Sequence, residues 1–317
     1  IRLRQAGIKV PILVLGSTRA EDSKVAVQYN ISLNVHDIEW IGKAIAYLQE
    51  ENIQQPLNIH VKIDTGMGRL GIRNIKEMKE IEYMLKNQDY IHLEGIFTHF
   101  SSADELDLHK TQNQLLKFKE ILDNMEYLPP YIHTSNSAAA MRYPDAYFNT
   151  VRLGISMYGL CPSPEISKDL PVTLKPALSL YTKIKQIKKI TMGDTVGYGA
   201  TYTASEPEWI ATLPIGYADG WIRKLSGQSV LVKGHRAPIV GRICMDQCMV
   251  KLDQSVPEDT VVTLIGNDGD ETITVDEIAE KLETINYEVI CQLSSRVPRV
   301  YKQDGLIIET VNQLFHY

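Results

Sequence analysis

The chain has 317 residues, with 33 Lys+Arg against 39 Asp+Glu and a formal net charge of −6. That acidic balance lacks the basic field that nucleic-acid binders turn on phosphates. A content of 44% hydrophobic and 23% charged residues excludes a disordered chain. The longest apolar runs, such as residues 10–16, fall far short of the ~20 residues that cross a bilayer, and the start, Ile1-Arg2-Leu3-Arg4-Gln5, has no signal-peptide apolar region.

In chain order, residues 1–7 read as the last turns of a helix closing at a glycine. Short β-branched runs then recur at 12–15, 31–35, 57–63, 93–97, 131–133 and 150–153. Amphipathic stretches lie between them. One spans 37–51, with Ile38, Ile41, Ile45 and Leu48 on one face. Another spans 105–125, with Leu115, Phe118, Ile121 and Leu122 on one face. Strand and helix alternating at ~30 residues per unit predict a parallel sheet with helical crossovers. No Gly-x-Gly-x-x-Gly follows the first run. The alternatives are an open doubly wound sheet and a (β/α)8 barrel, which needs eight strands.

Residues 162–171 read as a linker. Beyond them, Val-, Ile- and Thr-rich runs at 179–190, 196–203, 209–215, 230–232, 239–246, 249–252 and 261–265 alternate with Gly and Asp turns, an all-β texture. One helix is expected over 276–285 after a Thr274 start. Domains of 1–170 and 171–317 follow. The four cysteines form no CxxC pair or His-spaced zinc pattern, so no metal is expected and they read as free thiols of a reducing cytoplasm.

Polar residues gather where the first-half strands end, the catalytic face of a βα barrel. Lys62 to Arg69 leaves the third run through a glycine-bracketed turn. Thr98-His99 ends the fourth, His133 to Ser137 the fifth, and Arg152 to Ser156 the sixth. The Gly154 and Ile155 amides and the Ser137 hydroxyl suit a phosphate dianion, since glycine lets an anion approach the backbone.

These stretches carry a resemblance over the whole chain. VKIDTGMGRLG (61–71), THF (98–100), HTSNSA (133–138), VRLGISMYG (151–159), GYGAT (197–201), PIGYADG (214–220), GRICMD (241–246) and TINYEV (284–289) resemble, in order, the bacterial alanine racemase family. The resemblance implies a pyridoxal 5′-phosphate barrel, a mainly β second domain, and a homodimer with shared active sites. The family's barrel begins with a Val-x-Lys-Ala-x-Ala-Tyr-Gly-His-Gly element whose lysine holds the cofactor. That element does not occur in these residues, and Val232-Lys233-Gly234-His235, on an expected hairpin, is no substitute. The expectation is therefore a (β/α)8 barrel whose first two strands, ~60 residues at ~30 per unit, lie outside this chain.

Position by position, the resemblance makes Tyr198 one of two bases, reaching the partner subunit's cofactor through a Tyr198–His99–Arg152–His133 network. Arg152 would face the pyridine nitrogen, and Arg69 the substrate carboxylate. Lys62, carbamylated in many members, would orient Arg69. Ser137, Gly154, Ile155 and Tyr287 match phosphate positions, and Met245 a backbone donor to the carboxylate. Asp104, Tyr217, Arg223, Arg242 and Ile285 match a substrate-access corridor. The bulk of Tyr287 favours alanine over serine, a difference of only ~1–3 kcal/mol.

The implied function is alanine racemisation supplying D-alanine for peptidoglycan. The alternatives are the racemase module of a membrane-tethered serine racemase and an inactive fragment. A barrel decarboxylase is disfavoured by Arg152, where such enzymes use an acid. A single-barrel cofactor carrier is disfavoured by the second domain.

Overall fold

A parallel pair needs a long crossover, and helices supply it here. The computed structural model describes residues 1–314, so the last three residues of the expected second domain lie outside the described residues. Helix α1 (Arg2–Gln5) closes before Gly7, whose φ is +85°. Strands β1 (Ile12–Val14), β2 (Ile31–Val35), β3 (Leu57–Lys62), β4 (Ile91–Phe97) and β5 (Tyr131–His133) pair in sequence order, all parallel. Helices α2 (Ser23–Gln28), α3 (Ile38–Glu50), α4 (Ile75–Lys86) and α5 (His109–Asp123) fill the crossovers, and α6 (Ser137–Arg142) follows β5.

The Asp37 side chain caps α3, accepting from the Trp40 amide at 2.6 Å. That leaves Ile41, Ala44 and Leu48 buried in one core with Leu33, Ile59 and Val61 of the sheet. Each fully buried Leu or Ile contributes about 1.5–3 kcal/mol. One face of β3 is thus apolar, while Asn58, His60 and Lys62, alternating with it, take the opposite face.

The expected sixth strand is reduced to one bridge, Thr150 to His133. The Arg152 amide instead donates to Ser135 O at 2.9 Å, while Val151 and Leu153 are exposed. The observed arc is a half-barrel of five strands and a bridge.

The division of the chain falls at Leu174/Lys175 rather than 170/171, and Tyr158–Leu160 group with the second unit. The Ala177 amide donates to Tyr158 O at 2.9 Å, and a Cβ on Gly159 (φ +72°) would stand 1.7 Å from Lys175 O. Only glycine allows that approach.

The second unit is antiparallel. Its strands are β6 (Leu180–Lys183), β7 (Gln186–Ile190), β8 (Thr195–Val196), β9 (Tyr202–Thr203), β10 (Glu208–Leu213), β11 (Ser229–Val232), β12 (His235–Val240), β13 (Cys248–Leu252), β14 (Val261–Asp268), β15 (Glu271–Ile273), β16 (Arg299–Gln303) and β17 (Leu306–Val311). The main sheet runs β15-β14-β11-β12-β13-β10-β7, and β6 pairs with β14, so the sheet curls back on itself.

The β11–β12 hairpin turns on Lys233 (φ +50°) and Gly234 (φ +77°), as expected for two residues of positive φ. The strand expected over 239–246 stops at Val240, because Gly241 turns at φ +70° with its Cβ position 2.6 Å from Val196 O. The expected helix is α7 (Val275–Leu282), capped by Thr274, followed by α8 (Asn286–Gln292).

Candidate active site

Lys62 ends β3 buried, and the chain beyond it turns back sharply. The Asp64 carboxylate accepts from the Gly66 and Gly68 amides at 3.1 and 2.9 Å. The Ile72 amide returns to Lys62 O at 3.0 Å. A Cβ on Gly71 (φ +130°) would lie 2.6 Å from Asp64 N, so this return requires glycine. Arg69 stands exposed on the turn. Burial, then the charges of Arg69 and Arg152, hold the Lys62 ammonium below the ordinary lysine range.

Arg152 is the centre of the arrangement. One terminal nitrogen donates to His133 Nδ1. The other donates to the Thr98 and Thr134 carbonyls at 2.7 and 3.1 Å and lies 3.4 Å from His99 Nδ1. The guanidinium sits 5.2 Å from the Phe97 ring centroid. Burial alone brings Arg152 down to about 10, with no carboxylate among the causes. It therefore stays a cation at neutral pH, without a counter-ion among the described residues.

Burial, reinforced by the charge of Arg152, keeps both neighbouring imidazoles neutral. Burial and then Arg152 bring His133 to about 2, and burial with Arg152, Arg69 and Lys62 brings His99 to about 4. Behind His99, the Gln114 amide of α5 donates to His99 O at 3.1 Å and to Thr65 Oγ1 at 3.2 Å.

Ser137 and Gly154 meet beside this cluster, the Gly154 amide donating to Ser137 Oγ at 2.8 Å. The Ser137 oxygen is the acceptor there, which leaves its O–H to donate elsewhere. A Cβ on Gly154 would meet only Ser137 Oγ, at 3.8 Å, so there is open space beside the backbone. The Ser156 hydroxyl is buried without a partner among the described residues. Arg152 Nε–H has no partner among the described residues. Unengaged donors around a cation without a counter-ion suit a ligand with a phosphate and an acceptor ring nitrogen, so these residues fit pyridoxal phosphate. The concave side also bounds a cavity of about 300 Å³, lined in part by Ser32, His60, Glu94, Tyr131, His133 and Arg152.

In the second unit, glycine turns aim the expected residues. Tyr198, 71% exposed, sits between Gly197 and Gly199, both at φ +74°. Arg242 packs on that turn, its Nη1 3.0 Å from the Gly199 Cβ position. The Tyr217 and Ala218 amides donate to Cys244 O and Met245 O at 3.1 and 2.8 Å. A Cβ on Gly216 would stand 2.4 Å from Cys244 O. The Met245 amide has no partner among the described residues. Gly220 backs onto Gln292 O of α8, the helix that carries Tyr287 behind the exposed Ile285.

The first unit thus gathers Lys62, His99, His133 and Arg152, with Ser137, Gly154 and Ile155 beside them. The second gathers Tyr198, Arg242, Met245 and Tyr217, with Arg223 on the next turn (Arg223–Leu225). Asp104 stands apart from the Arg152 cluster, its carbonyl accepting from Ser163 Oγ at 2.6 Å.

Sequence reasoning missed His60, Glu94 and Gln114. The signal for His60 was the polar alternation Asn58, His60, Lys62. For Gln114 it was a polar residue spaced i,i+3,i+7 with Thr111 and Phe118 on the buried face of α5.

Residues 1–162 match the family model for the alanine racemase N-terminal domain, and residues 177–301 the one for its C-terminal domain. The alanine racemase of Geobacillus kaustophilus is 49% identical over 312 residues, covering 98% of this chain and 80% of that protein. The alanine racemase of Listeria monocytogenes is 50% identical over 302 residues, covering 95% and 80%. A crystal structure of alanine racemase from Bacillus anthracis with bound L-Ala-P superposes with a TM-score of 0.95 at 46% identity, covering 99% and 81%. With both domains matched in order and the buried Arg152 cluster suited to the cofactor, the chain belongs to the alanine racemase family of pyridoxal phosphate-dependent isomerases.

Proposed function

We propose that this chain interconverts L- and D-alanine with two bases on opposite faces of the bound amino acid. The observation that carries the site assignment is Arg152, a buried cation with no carboxylate partner among the described residues, bracketed by two imidazoles that burial and its charge keep neutral. Pyridoxal phosphate, when bound, supplies the electron sink that makes the amino acid's Cα–H acidic. The residues of the chain do the rest.

Ser137, Gly154, Ile155 and Tyr287 would hold the phosphate. Arg152 would hold the ring nitrogen with its Nε–H, and because guanidinium has no acceptor and keeps its charge, it would do so without passing the proton over. Arg69 and the Met245 amide hold the substrate carboxylate, a task suited to a bidentate guanidinium. Lys62 orients Arg69. Tyr198, supplied by the partner of a homodimer, removes or returns the proton at Cα, with His99 beside it. Asp104, Tyr217, Arg223, Arg242 and Ile285 line the way in, and Tyr287 favours a methyl side chain.

None of the described helices is long and apolar enough to cross a membrane. The cytoplasm is the proposed location, and D-alanine for peptidoglycan the proposed product.

The test is Tyr198→Phe in the full-length protein loaded with pyridoxal phosphate. Racemisation is expected to fall by about 10²–10⁴, the usual contribution of a positioned acid–base group. Exchange of the α-proton with solvent should survive for one enantiomer only. Undiminished racemisation, or full activity in a monomer, overturns the reading.

A further inference from the structure

The concave face of the half-barrel holds a second set of polar groups, behind Arg152. His133 Nε2 lies 2.8 Å from His60 Nδ1, and His60 Nε2 lies 3.1 Å from Glu94 Oε2. The Ser32 hydroxyl donates to the same carboxylate oxygen. With the Arg152 bond to His133 Nδ1, these groups form one line from cation to anion across four strands and the segment after β5.

Guanidinium only donates and an ionised carboxylate only accepts, so the two ends fix every proton between them. His133 must accept at Nδ1, and its single proton therefore sits on Nε2. That proton is donated to His60 Nδ1. His60 in turn keeps its proton on Nε2 and donates it to Glu94. Any other arrangement sets two donors or two acceptors face to face inside a buried site, where an unmade hydrogen bond costs about 1–3 kcal/mol.

The backbone is built around this line. The pairing of β3 with β4 slips between Ile59 and His60, so that Ile59 faces Leu93 and His60 faces Gly95. Glu94 is the extra residue, and a bulge of this kind re-aims a side chain. A Cβ on Gly95 would stand 2.3 Å from His60 Nδ1, so the imidazole occupies space that only glycine leaves. Tyr131 stacks on His60 at 5.7 Å and Phe97 on His133 at 4.8 Å between ring centroids. Burial holds His60 below the ordinary imidazole range against the opposing pull of Glu94, with Arg152 adding to the lowering.

We propose that Glu94 and His60 are positioning residues that lock His133 as a hydrogen-bond acceptor toward Arg152. The lock keeps the guanidinium in one orientation and leaves its Nε–H for the cofactor. The proton pattern stands on this chain alone. Its consequence for catalysis rests on the role given to Arg152 above.

Nitrogen NMR of the protein labelled with 15N-histidine reads the pattern directly, with His60→Gln and His133→Gln used for assignment. Between pH 6 and 8, both rings are expected as single neutral tautomers, protonated at Nε2 and unprotonated at Nδ1. Glu94→Leu should mix the tautomers of His60 and, through it, disturb His133. In the loaded full-length enzyme that variant should lose kcat on the order of ten-fold, the low end of what removing the partner behind a ligand-holding histidine costs, with KM nearly unchanged. Glu94→Gln retains an acceptor oxygen and should recover most of kcat, which also guards against a Leu variant that fails to fold. His133 protonated at Nδ1 in the unaltered protein, or mixed tautomers there, overturns the lock. An intact pattern lost in Glu94→Leu with kcat unmoved overturns instead the use made of Arg152.

Discussion

The two units place their functional groups by opposite means. In the half-barrel, Lys62, His99, His133 and Arg152 lie in one buried cluster, where burial first and then, for all but Arg152, the neighbouring charges set their proton affinities. In the antiparallel unit, Tyr198 and Met245 are 71 and 56% exposed, and it is the backbone that aims them, through Gly197, Gly199 and Gly216. A buried cluster can tune a proton affinity, because desolvation and neighbouring charge act strongly there. An exposed side chain on a rigid turn cannot tune itself in that way, but it can reach into another molecule.

The largest expected effect follows from the buried imidazoles and belongs to the half-barrel. Above about pH 6.5 histidines are neutral in both the folded and the unfolded chain and contribute nothing. Below it, the unfolded chain takes up protons that His99, held at about 4, and His133, held at about 2, refuse. Stability must therefore fall as pH drops from 6.5 toward 4, by up to about 1.4 kcal/mol per pH unit for each histidine. Urea midpoints measured from pH 7 to 4 should show it, and His99→Gln should make the fall shallower. An unchanged slope in that variant would place the acid sensitivity elsewhere.

The matching test in the antiparallel unit is Gly216→Ala. Its φ of −153° is open to any residue, so the penalty is purely steric. The added methyl would meet Cys244 O, Met245 O and Asp246 N at 2.4–2.6 Å, all backbone. Overpacking of this kind costs about 1–3 kcal/mol. The Met245 amide should move with the loop, so KM for alanine should rise while the pH slope of stability stays as it was. A variant with normal KM would show that Met245 needs no such backing.

How far these features were legible in the sequence follows the same division. Periodicity located α3 within a residue at each end, because Asp37 caps it and a single apolar face carries it. The start of α5 slipped to His109, because the Asp107 carboxylate takes the His109 amide at 3.0 Å and holds residues 105–108 out of the helix. The run at 150–153 looked like a strand by composition, yet strand formation needs a neighbour and the Arg152 amide was drawn to Ser135. Motif residues such as Ser137, Gly154 and Arg152 were readable because the resemblance named them. Glu94 was not. Its place depends on a one-residue slip between two strands, and alternation along either strand alone contains no trace of it.

The smallest effect sharpens the comparison by testing a feature that the units share. Asp37 accepts from the Trp40 amide at the start of α3, and Thr274 from the Glu277 amide at the start of α7. Replacing a capping side chain with alanine strands one amide and costs about 1 kcal/mol. Asp37→Ala and Thr274→Ala should therefore shift urea midpoints by similar small amounts, one in each unit. Thr274→Ala should leave the acid slope unaltered, since Thr274 touches no histidine among the described residues, whereas Asp37 also lies 3.0 Å from His36 Nδ1. If Thr274→Ala steepened the loss of stability below pH 6.5, the acid sensitivity would not belong to the buried imidazoles of the half-barrel alone, and their burial beside Arg152 would no longer account for it.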